Sequence, residues 1–140
     1  AALGLSQIAK LPDFIEKRKE NYKYLKSKFK DFDMFNLPNL PNNIDPSWFG
    51  FPVTVNKKAT FSRHELLLHY DSKLIGTRLM FGGNLLLQPA YENTILKTAD
   101  SLENANTIAN NSFWLGVYPG LDAEKLDYIV SSTSSFIDNN

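Results

Sequence analysis

The run from Leu11 to Phe32 constrains the fold more than any other stretch. Its apolar residues, Leu11, Phe14, Ile15, Tyr22, Leu25, Phe29 and Phe32, keep the three- and four-residue steps of an amphipathic helix. Pro12 suits the first turn, where its missing N–H has no helical partner. Between the apolar positions lie Lys17, Arg18, Lys19, Lys23, Lys26, Lys28 and Lys30, interleaved with Asp13, Glu16, Glu20 and Asp31. Glu16–Lys19 and Glu20–Lys23 are helix-neighbour pairs, so this face is a solvated helix surface rather than a phosphate-binding one. Fifteen basic residues balance fifteen acidic ones over the 140 residues. No global field therefore favours nucleic acid or an anionic membrane.

Downstream, three prolines punctuate a loop from Leu37 to Pro46. Trp48–Val55 has strand character, with Pro52 limiting it to an edge or a bulge. Ser62 with Glu65 three residues later is a capping box, and it opens a helix to Asp71. Lys73–Phe81 is expected as a strand, Glu92–Ala105 as a short helix, and Ser112–Tyr118 as the clearest strand. Asp122 caps a final helix, and the polar tail Ser131–Asn140 is expected to fray. This order predicts an α+β fold, a small and mainly antiparallel sheet covered by helices, in one domain.

Several chemistries are excluded. No apolar run approaches the roughly 20 residues that span a bilayer. Cysteine is absent, which removes disulfides, thiolate nucleophiles and Cys-ligated clusters from this chain. His64 and His69 stand five apart, about 500° around a helix, so they do not form a metal pair on one face. No phosphate loop, dinucleotide fingerprint or nucleophile elbow is present, and the carboxylates are scattered. No catalytic or metal set closes within the chain; a binding surface remains. It centres on Thr77–Tyr91, TRLMFGGNLLLQPAY. There Gly82 and Gly83 permit positive φ or close approach. Arg78 is suited to hold a phosphate or sugar oxygen by its fork. Asn84 and Gln88 offer amides, and Phe81, Trp114 and Tyr118 offer apolar walls. The competing reading leaves the aromatics as core.

The segments AALGLSQIAKLPDFIEKRKENYKYL, SWFGFPVTV, TRLMFGGNLLLQPAY and NSFWLGVYPGL carry a resemblance. The first resembles the helix joining the large and small domains of the DegT/StrS-like sugar aminotransferases, pyridoxal-phosphate enzymes of aminotransferase fold type I. The others are similar to the branch of 4-keto-6-deoxyhexose 3-dehydrases of lipopolysaccharide O-antigen synthesis, the RfbH group. The resemblance implies that residues 1–140 form a C-terminal small domain, with 1–11 ending a helix from a large domain. The start, Ala1-Ala2-Leu3, with neither Met nor a signal-peptide layout, carries the same expectation of a fragment.

By that resemblance the parent removes the C3 hydroxyl of a nucleotide-linked 4-keto-6-deoxyhexose. It would use PLP or PMP and, in this branch, an iron–sulfur cluster, all held outside this chain, which is expected to be inactive alone. Implied partners are a flavin or iron–sulfur reductase and a second copy in a cytoplasmic homodimer, with no nucleic acid and no membrane. Arg78, Phe81, Gly83, Asn84, Gln88 and Trp114 are the expected substrate-binding residues. Leu87 stands where relatives often carry a basic residue, a departure that bears on substrate preference. Two alternatives stay open. One is an aminotransferase of the same family. The other is a non-enzymatic module, either for dimerisation or for stacking RNA on Phe49, Phe51 and Trp114.

Overall fold

Alternation along two strands organises the molecule. In β2 (Gly50–Val55) Phe51, Val53 and Val55 are buried, whereas Pro52 and Thr54 point to the opposite face. In β4 (Ser112–Gly116) Phe113 and Leu115 follow the same rule, and Val117 extends it. β1 (Phe35–Asn36) and β3 (Thr77–Leu79) complete an antiparallel sheet in the order β1-β2-β4-β3. The computed structural model describes residues 1–95, 97–98 and 101–140. Pro52 is tolerated in β2 because β1 pairs only with Val55 and Thr54, which leaves a local edge beside the proline.

Helices close the inner face. α1 (Ala2–Ile8) stands apart with no buried residue. α2 (Leu11–Phe29) contributes Tyr22, Leu25 and Phe29 to the core, α3 (Arg63–Ser72) Leu66 and Tyr70, and α5 (Ala123–Asp138) Leu126, Ile129 and Phe136. The Phe29 ring meets Phe51 edge-on at 5.2 Å, joining α2 to the sheet. The expected α+β layout is the observed one. Among the described residues no helix is long and apolar enough to cross a membrane.

The capping box is complete: Ser62 Oγ accepts from the Glu65 amide, and Glu65 Oε2 accepts from the Ser62 amide at 2.7 Å. Asp122 caps α5 by accepting from the Lys125 amide at 3.0 Å. The α2 surface pairs differently from the sequence expectation. Lys17 meets Glu20 at 3.1 Å and Lys19 reaches Asp45 at 2.6 Å.

Other elements differ for tertiary reasons. The strand expected over Lys73–Phe81 is confined to Thr77–Leu79, because Leu74 and Phe81 take positive φ at 58° and 48°. Of the helix expected over Glu92–Ala105, residues 96, 99 and 100 lie outside the described residues, and the described ones before 103 are not helical. α4 runs instead over Glu103–Asn111, where tertiary contacts outweigh the poor helix propensity of its asparagines. The tail does not fray: α5 continues to Asp138 with Ser132, Thr133 and Phe136 buried. Ser132 Oγ lies 3.0 Å from His69 Nε2. Tyr70 Oη lies 2.7 Å from Thr133 Oγ1, whose own hydrogen goes to the Ile129 carbonyl.

Candidate functional site

The outer face of the sheet is built differently from the inner one. Its outward positions are Gly50, Pro52 and Thr54 on β2, and Ser112, Trp114 and Gly116 on β4. α4 closes one end, where Thr54 Oγ1 and Ser112 Oγ share a hydrogen bond of 2.7 Å. The other end is open. There Arg78 stands directly across from Trp114 in the strand register and therefore on the same face.

Arg78, Phe81 and Trp114 line one cleft of about 490 Å³. The Arg78 guanidinium is exposed and donates one hydrogen from Nη1 to the Thr77 carbonyl at 2.9 Å. The Trp114 indole is held by its Nε1–H, which donates to the Leu79 carbonyl at 3.1 Å. It is thus a wall and has no donor left for a ligand. Phe81 is 82% exposed, with a ring 5.7 Å from Trp114. Its φ of 48° is a strained conformation for a bulky residue.

Phe81 also borders a smaller groove of about 170 Å³, shared with Gly83 and Gln88. Gln88 Nε2 donates to the Gly82 carbonyl at 2.8 Å, tying the ends of the segment together. Asn84 is placed otherwise. It is buried, donates from Nδ2 to Asn106 Oδ1 at 2.7 Å, and accepts from the Leu86 amide at 3.0 Å. Gly83 has φ +59°, and a Cβ there would lie 2.6 Å from the Ala109 Cβ. Both residues therefore bind the segment to α4. Arg63 completes the arrangement from below. Its Nη1 donates to the Ala109 carbonyl at 2.6 Å and to the Ser112 carbonyl at 3.2 Å, and burial lowers its pKa.

Sequence reasoning did not single out the glycines of the cleft, Gly76 and Gly116. The available signal was a glycine inside SFWLGVY, since glycine in a strand leaves no side chain to pack there. His64 and His69 lie on α3, away from this cleft. Among the described residues no group of three His, Cys, Asp or Glu is placed to hold a metal.

The family model for DegT/DnrJ/EryC1/StrS aminotransferases matches residues 1–134. The chain belongs to that family. It is 43% identical to the lipopolysaccharide biosynthesis protein RfbH of Salmonella typhimurium, over 100% of this chain and 32% of that protein. It is 39% identical to a dTDP-4-dehydro-2,6-dideoxy-D-glucose 3-dehydratase of Saccharopolyspora spinosa, over 98% of this chain and 30% of that one. Among solved structures, it resembles the E. coli GDP-4-keto-6-deoxy-D-mannose-3-dehydratase with bound hydrated PLP. The TM-score is 0.82 at 26% identity, covering 94% of this chain and 33% of that one. The resemblance to this family and to its 3-dehydratase members is thus borne out. The chain spans about a third of the length of these relatives.

Proposed function

We propose that the chain is the small domain of a PLP- or PMP-dependent nucleotide-sugar 3-dehydrase, and that it shapes one wall of the substrate cleft. The observation that carries the reading is near-complete coverage of this chain by a sugar 3-dehydratase at 39% identity, with a second such enzyme matching its fold. Residues 1–11 continue a helix from a large domain. In support, α1 exposes Leu3, Leu5 and Ile8 at 82%, 72% and 65%, side chains that need a partner.

The cleft does not fit a pyridoxal cofactor by itself. Such a cofactor needs a lysine or equivalent at its aldehyde and a charged partner at its ring nitrogen. The described lining has one guanidinium, one hydroxyl, aromatic rings and glycines. Nor does a chain without cysteine offer thiolates to an iron–sulfur cluster. No chemical step is assigned to these residues. Their part is binding: Arg78 grips a diphosphate oxygen with the rest of its fork, and Phe81 and Trp114 exclude water beside it. Gly83 and Asn84 fix the segment, so that Gln88 and the backbone after Phe81 border the sugar.

The test uses the full-length protein with a nucleotide-linked 4-keto-6-deoxyhexose. Loss of the C3 oxygen from the product, read by mass spectrometry, supports the dehydrase. An amino sugar formed with glutamate would instead assign an aminotransferase. Omitting a flavin or iron–sulfur reductase should stop formation of the dideoxysugar, and light scattering should return a dimer in this cytoplasmic enzyme. Arg78→Gln removes a charge-assisted contact of about 1.5–3 kcal/mol, so KM should rise about ten- to a hundredfold with kcat little changed. An unchanged KM would remove Arg78 from the site.

A further inference from the structure

The open end of the outer sheet face contains a floor without side chains. Gly116 lies on that face, and the β3–β4 register extended by one residue sets Gly76 beside it. A Cβ at either position would meet nothing within 4 Å. Next to this floor the Trp114 indole is immobilised. It lies over Gly50, where a Cβ would come within 2.1 Å of its ring, and its Nε1–H is bound to the Leu79 carbonyl. Phe49, 69% exposed, stands 4.5 Å from the Trp114 ring and tilted by 45°. The floor is flat, the wall is aromatic, and Arg78 adjoins both.

The polarity of the lining says what fits. A pyranose presents hydroxyls all round and needs several donors and acceptors, whereas among the described residues the lining includes the polar residues Thr77 and Arg78 alone, and Thr77 pairs with Leu115 of the inner face. A heteroaromatic ring presents two apolar faces and fits a bare backbone floor against rigid rings. The adjoining groove beyond Phe81 carries Gln88 and Asn110, amides that suit sugar hydroxyls. We infer that the Gly76–Gly116 floor takes the nucleobase of a nucleoside-diphosphate sugar, packed against Trp114 and Phe49. Arg78 then meets the diphosphate, and the sugar lies beyond Phe81. The inference rests on the nucleotide-sugar reading proposed above and adds which end of the molecule goes where. Because every base has an aromatic face, the rings select little among bases.

The experiment is calorimetric titration of the full-length protein with CDP, dTDP, GDP and pyrophosphate, for the parent, Phe49→Leu and Gly116→Val. Gly116→Val fills the floor where there is room for a side chain in the fold, and a β-branched residue suits a strand. Both variants should weaken nucleoside diphosphates about tenfold or more, leaving pyrophosphate affinity and oligomeric state unchanged. Nucleoside diphosphate affinities equal to the parent's would overturn the inference. So would a variant that dissociates the protein or unfolds it, which would assign the face to a protein contact. Turnover separates the two proposals. A parent that deoxygenates its keto-sugar, with both variants keeping the parent KM, sinks the base subsite alone. A parent that neither binds nucleotides nor turns over sinks both.

Discussion

Gly83 is the position where packing and backbone geometry make the sharpest demand. Alanine there must keep φ near +59°, which costs an L-residue about 1–2 kcal/mol. Its Cβ would also lie 2.6 Å from the Ala109 Cβ and 2.7 Å from the Ala109 Cα. Ordinary carbon–carbon separations stand at about 3.5–4.0 Å, so α4 would have to retreat by about an ångström. Overpacking of this kind costs about 1–3 kcal/mol. Together Gly83→Ala should lose about 2–5 kcal/mol, a large part of a typical domain's stability. Native-state hydrogen exchange of the β4 amides in the full-length protein reads that loss locally. Neighbouring Gly82 supplies the control. Its φ is not positive and a Cβ would sit 3.8 Å from Leu85, so Gly82→Ala should stay within about 0.5 kcal/mol of the parent. Adding Ala109→Gly to Gly83→Ala should restore only part, because the backbone of α4 still crowds the new methyl group and the φ penalty persists. A Gly83→Ala protein as stable as Gly82→Ala would refute the close approach of α4.

Two further outcomes follow from buried and capping hydrogen bonds. Thr133 spends its one hydrogen on the Ile129 carbonyl, so Tyr70 must donate to Thr133. Tyr70→Phe should then cost about 1 kcal/mol, whereas Thr133→Val strands a buried phenol and should cost about 1–3 kcal/mol. The double variant should lose less than the two single losses combined, as a double-mutant cycle by hydrogen exchange would show. Glu65 accepts first from the Ser62 amide and then from its hydroxyl, which hold its carboxyl below the usual range. The stabilisation is therefore present above the unfolded carboxylate pKa and is lost as pH falls through the lowered folded value. Glu65→Gln should flatten that acid limb in a Tm-against-pH series; an unchanged limb would assign it to other carboxylates.

Much of the fold was legible where a local rule acts alone. The Ser62–Glu65 box, the Asp122 cap and the aromatic strand around Trp114 each carry their signal within a few residues. α4 was misplaced because ENANTIANN has weak propensity, and what stabilises it comes from afar: Arg63 at its last carbonyls, Asn84 on Asn106, and Gly83 under Ala109. The last turns of α5 were hidden for the same reason, since burial of Ser132 and Thr133 depends on His69 and Tyr70, 63 residues away in each case. For the site, Arg78, Phe81 and Trp114 come together as strand character and proximity suggested. For Gly83 and Asn84, sequence alone does not tell a permissive backbone kept for a ligand from one kept for a helix. The structure shows both engaged with α4.

The outer face is costly for a strand. Glycine at 50 and 116, the first residue of β2 and the last of β4, and proline at 52 all weaken sheet pairing. The inner face offsets this with Phe51, Val53, Phe113 and Leu115, each at most 1% exposed. Gly50 has a packing reason, because the Trp114 indole occupies its place. Gly116 has none: its φ is ordinary and the space above it is open. Gly116 thus lies as bare backbone beside Phe81, at positive φ, and the exposed Arg78. A side chain at position 116 would have room in the fold. The base subsite proposed above would account for a glycine at this position, and Gly116→Val is the substitution that tests it.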